Sequence, residues 1–186
     1  NITATYASIG APGVSIVGTY PITVAVVNDP GNRLGNYTVT RNTGTLTVTQ
    51  RALTVTSADK IKFYGNLFTA FTGTITGIQN GDNITATYAS AGGPVGAIVG
   101  DYPITITLND AGGRLPNYTV TTNEGTLTVA PRDLVVNGAD KIKSYGSVFT
   151  NFTGTMVGIK NADGITATYD STGASATAPV GTYPIN

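Results

Sequence analysis

The chain has 186 residues, with ten Lys or Arg balanced by ten Asp or Glu and no His, Cys or Trp, so its formal charge is zero. No run of either sign is present to hold nucleic acid or an anionic membrane surface, and without Cys or His there is no disulfide, no thiolate and no ordinary neutral-pH base. No stretch approaches the ~20 consecutive apolar residues of a membrane helix, and a composition led by Thr, with Val, Ile and Tyr, is that of a strand former.

The opening phrase NITATYAS, residues 1–8, returns unchanged at 83–90 and as GITATYDS at 164–171. GTYPIT at 18–23 is echoed at 100–105 and 181–186, and NYTVT at 36–40 is echoed at 117–121. The offset is 81 or 82 residues each time. A unit of that length can bury its own core, so the chain reads as an array of small domains. Residues 1–50 then form the C-terminal part of one copy.

The central copy starts at Arg51. ALTVTSA alternates Leu53 and Val55 with Thr54 and Thr56, the period of a strand with one buried face. DKIKFYGN alternates Ile61 and Phe63 with Lys60 and Lys62 and ends in turn residues. FTAFTGTITG alternates again, and the following Asn80-Gly81 is a strong hairpin signal. ITATYA, DYPITITL, YTVTT and TLTVA complete six or seven short strands, with Pro103 suited to an edge or a strand start because it cannot donate to a ladder. No ten-residue stretch has helical spacing, so the reading allows one helical turn near GIQNGD and no more.

At 126–136, TLTVAPRDLVV carries Pro131 where TLTVTQRALTV at 45–55 carries Gln50-Arg51, which marks a short extended linker between copies. The domains expected are 1–50, 51–130 and 131–186, the outer two being parts of copies. The fold class expected is all-β: tandem small β-sandwich or β-grasp-like domains of about 81 residues joined end to end. Because the first residue is Asn1 and no signal sequence precedes it, the chain reads as an excerpt of a longer polypeptide. Part domains expose strand edges, so the partners expected are neighbouring repeats of the same protein, by strand complementation or fibre assembly.

The acidic residues Asp59, Asp82, Asp101, Asp110 and Glu124 stand singly in turns and at strand ends. They read as turn formers rather than as a carboxylate pair for acid–base work, so no catalytic, cofactor or metal residue is assigned and the chain is not read as an enzyme. Calcium is the ion that the oxygen-rich loops NDPGNR (28–33), NDAGGR (109–114) and NADG (161–164) would suit, but none has regular acidic spacing. Lys60, Lys62, Lys141 and Lys143 recur in register and read as charges blunting a strand edge; an isopeptide bond to Asn is the alternative, visible as the mass of one lost ammonia. Tyr6, Tyr88 and Tyr169, with Tyr20, Tyr102 and Tyr183, also recur and read as packed positions rather than sugar-stacking platforms. Asn1, Asn36, Asn83, Asn117 and Asn151 fit the glycosylation pattern, which arises by chance in a Thr-rich chain.

Taken in order, ADKIKFYGN and ADKIKSYGS, the TGIQNGD turn, GDYPITI, NYTVT and GTLTVAPR resemble the MBG repeats of the YGX type, with Tyr64-Gly65 and Tyr145-Gly146 as the dipeptide that names the type. The resemblance implies tandem repeats of bacterial extracellular, adhesin-like surface proteins, and a β-grasp-like fold with a helix that this sequence barely supports. The function expected is a structural or adhesive stalk, spacer or fibre-forming region at the cell surface. The alternative is a module binding a glycan or host protein weakly in each copy, with affinity raised by multiplicity.

Overall fold

The computed structural model describes the backbone of residues 1–186 and the side chains of all but residues 25 and 26. Strands dominate. In the first copy β1 (Thr3–Ala7), β2 (Gly18–Asn28) and β3 (Gly44–Val48) form an antiparallel sheet in that order. The central copy contributes β4 (Arg51–Ser57), β5 (Lys60–Phe63), β6 (Gly73–Thr76), β7 (Ile84–Ala89), β8 (Gly100–Asp110), β9 (Tyr118–Asn123) and β10 (Gly125–Ala130). These strands make one sheet of order β6-β4-β9 and another of order β5-β10-β8-β7. The third copy holds the antiparallel pair β11 (Val135–Gly138) and β12 (Gly154–Val157). The fold is all-β.

The ends of the central copy run side by side. β4 pairs in parallel with β9 from Arg51↔Tyr118 to Thr56↔Asn123, and β5 pairs in parallel with β10 from Lys60↔Leu127 to Phe63↔Ala130. Both the entering and the leaving segment therefore change sheet within a residue or two of each other. Buried Ser57 marks the change: its hydroxyl accepts from the Gly125 amide and donates to the Ile104 carbonyl at 3.2 Å. Asp59 accepts the Thr126 amide at 2.7 Å.

By its contacts the chain divides into two compact units. The first comprises Asn1–Ala58, Phe71–Ala89 and Ile104–Gly125. Its core is Leu53, Ile84 and Tyr118, with Ile75, Ile78, Leu108, Leu115 and Val120 against them. Leu53 and Val55 come inward from β4 as their alternation with threonine dictates, and full burial of one such side chain contributes roughly 1.5–3 kcal/mol. The second unit comprises Asp59–Ala70, Ser90–Pro103 and Thr126–Asn186, with Leu127 and Val129 of β10 buried in it.

Three expectations are corrected. Asn80-Gly81 is a turn with both residues at positive φ, 55° and 70°, but it joins β6 and β7, which lie in different sheets, so it closes no hairpin. The helical turns are three-residue 3-10 segments at Leu34–Asn36, Leu115–Asn117 and Thr172–Ala174 rather than at GIQNGD, and no longer helix of a β-grasp kind occurs among the described residues. On β5 the alternation holds but the faces are reversed: Lys62 is buried, while Ile61 and Phe63 are 64% and 54% exposed. Pro103 sits in β8 ahead of Thr105, where the ladder with β7 begins, so its missing donor costs that ladder nothing.

Candidate functional site

The acidic loops are occupied by their own backbone. Asp110 accepts the amides of Arg114 (2.9 Å) and Leu115 (2.7 Å), which opens the 3-10 turn at Leu115–Asn117, and those amides hold its carboxyl below the usual carboxylate range. Asp29 accepts the Leu34 amide in the equivalent loop of the first copy. Asp101 accepts from the Thr128 hydroxyl at 2.7 Å, and Asp82 accepts from the Tyr118 hydroxyl at 2.7 Å with Arg114 at 3.9 Å. Burial and the neighbouring Asp82 push the Tyr118 phenol above its ordinary value. Among the described residues no three acidic or metal-ligating side chains gather. These carboxylates stay apart, each tied to a turn or strand.

The recurring tyrosines lock loops within their own copies. Tyr20, Tyr102 and Tyr183 donate to the carbonyls of Ile16 (2.8 Å), Ile98 (3.0 Å) and Pro179 (2.9 Å). Their rings lie on Gly10, Gly92 and Gly173, so close that any β-carbon there would overlap the ring. Tyr88 and Tyr169 cover Gly73 and Gly154 in the same way, whereas Tyr6 is 67% exposed. A ring clamped on a glycine presents little face to a sugar.

Lys62 donates to three backbone carbonyls, those of Asn66 (3.0 Å), Gly93 (3.0 Å) and Pro94, and so ties the turn after β5 to the Gly-rich loop. Burial pushes this ammonium below the ordinary lysine range. Lys143 repeats two of these bonds, to the carbonyls of Ser147 and Ser175. Both amines meet carbonyl oxygens of the main chain, not the side-chain carboxamide that an isopeptide bond would need.

An open cleft in the third copy runs between the segment Lys141–Lys143 and the segment Thr182–Ile185. By the 81-residue offset its walls correspond to β5 and the start of β8, the strands that flank β10 in the central copy.

Contacts between copies form the remaining constellation. In the first unit the Asn80 carboxamide donates to the Gly13 carbonyl (2.9 Å), the Val17 amide donates to the Asn117 carboxamide oxygen (2.9 Å), and Gln50 donates to the Pro116 carbonyl (3.0 Å). In the second unit Asn161 donates to the Val95 carbonyl at 3.0 Å. Residues 80 and 161, and residues 13 and 95, are equivalent by the repeat offset, so one bond recurs at both junctions. Each Asn is at positive φ, 55° and 54°, a left-handed conformation that Asn tolerates, and each carboxamide bonds to the neighbouring copy. From sequence these residues register only as turn formers; their recurrence in register is the signal that they do more.

Such a site defines a class: an all-β module whose recurrent polar groups bond within loops and across the junctions between copies. Residues 53–128 match the MBG domain (YGX type) family, so this segment is an MBG domain. No curated protein and no solved structure matches the chain.

Proposed function

We propose that the chain is a structural repeat region, a spacer of tandem MBG domains in an adhesin-like bacterial protein at the cell surface, divided at 1–50, 51–130 and 131–186. The observation that carries this reading is the recurrent Asn bond across both junctions, Asn80 to Gly13 and Asn161 to Val95. Side chains that fix one copy against the next are what a spacer needs and what a flexibly strung set of binding modules does not. Linkers are also short: β3 ends at Val48 and β4 starts at Arg51.

The test pairs small-angle scattering with a glycan array. A spacer gives a scattering profile that one conformer fits and no saturable glycan binding. Saturable binding at one site per copy, with a profile only a broad ensemble fits, favours the glycan- or protein-binding module instead.

A further inference from the structure

We propose that the Tyr-Gly dipeptide of one copy is a socket for the Ile-x-Asn-x-Asp turn of the next, so that the partner this surface fits is another repeat of the same type. The inference rests on the spacer reading and names its joint. The Tyr64 hydroxyl donates to the Asp163 carboxylate, at 3.0 Å to Oδ1 and 2.9 Å to Oδ2. Gly65 has φ +80°, and a β-carbon on it would lie 2.5 Å from Lys160 Cγ and 2.6 Å from Lys160 Cβ. Glycine is needed here twice, once for the left-handed backbone and once for the close approach of the following turn. The Asn161 bond to Val95 closes the same contact, and Arg132 donates to Asn66 Oδ1 at 3.0 Å beside it.

The third copy shows the same socket without the turn. Tyr145 is 71% exposed, and a β-carbon on Gly146, at φ +87°, would meet nothing within 4 Å. The backbone conformation of the dipeptide is therefore set inside its own copy, and the contact is supplied by the neighbour. The acidic end of the turn has capacity for both roles. Asp82, equivalent to Asp163, takes the Tyr118 hydroxyl of its own copy on Oδ2. A carboxylate accepts about four hydrogen bonds, so a single Asp in an array holds one tyrosine of its own copy and one of the copy before it.

The absence of Cys makes the joint measurable in the full 186-residue chain. Thr69 and Thr168, both exposed, are replaced by Cys and spin-labelled, and the distance distribution is read by pulsed electron resonance. The unaltered joint and Gly146→Ala, which shares the backbone strain without the contact, give one narrow distance. Tyr64→Phe and Gly65→Ala at least double its width, with folding verified by circular dichroism. Narrow distributions in all four overturn the socket and leave the spacer standing, as does equal broadening by Gly146→Ala. A broad distribution in the unaltered joint overturns the spacer and the socket together.

Discussion

Lys62 and Lys143 stand in the same phrase, ADKIK, 81 residues apart, and bond alike in unlike surroundings. Each reaches the carbonyl four residues on and another 32 residues on: Asn66 and Pro94 for Lys62, Ser147 and Ser175 for Lys143. Yet Lys62 is buried within β5, where it pairs with Val129 of β10, whereas Lys143 is exposed and, among the described residues, Lys141–Ser144 forms no strand. Leu53 and Leu134, also equivalent, are 0% and 39% exposed. Hydrogen bonds of the loops are thus encoded within about two-fifths of a copy, and burial is added by strands brought from its far end.

Substitutions at equivalent positions sharpen this contrast, read by native-state hydrogen exchange, which resolves one copy from another. The largest effect is expected at the core. Leu53→Ala should lower protection of β4 by about 2–5 kcal/mol, while Leu134→Ala should cost β11 well under half of that; equal losses would show that burial does not separate the copies. Next comes Lys62→Met, which strips three carbonyls of their donor and should cost about 1–3 kcal/mol, against little change for Lys143→Met. Tyr118→Phe removes the bond to Asp82 and the acceptor of the Gln79 amide, and should cost about 1 kcal/mol in the first unit.

The smallest effect is electrostatic. Asp110 has its carboxyl lowered by the amides of Leu115 and Arg114, so the folded state binds its proton less readily than the unfolded state. Its contribution is present above the unfolded value near 3.8 and is lost as pH falls through the lower folded value. Protection of the Arg114 and Leu115 amides should decline over that acid range, and Asp110→Asn should flatten the decline; an unchanged slope would remove the carboxylate from this role.

Strands such as β4 and β10 were legible because their buried residues alternate with threonine, a signal carried within six or seven residues. The reversed face of β5 was not, because a lysine turns inward only when carbonyls some 31 and 32 residues away are waiting for it. Asn80-Gly81 announced its dihedral angles faithfully, but its strands are claimed by partners elsewhere, β6 by β4 and β7 by β8. The junction was least legible. Tyr64 and Asp163 are 99 residues apart, and nothing near either names the other; only the return of Tyr-Gly in register hinted that the dipeptide had a task.

The parallel pairing of the two ends of the central copy has a mechanical consequence. Under the spacer reading, a tensile load applied between Arg51 and Ala130 would drag β4 and β10 in opposite directions along the ladders that hold them to β9 and β5. Force in that direction would shear the hydrogen bonds of each ladder together instead of unzipping them singly, so a ladder would be expected to yield as a whole.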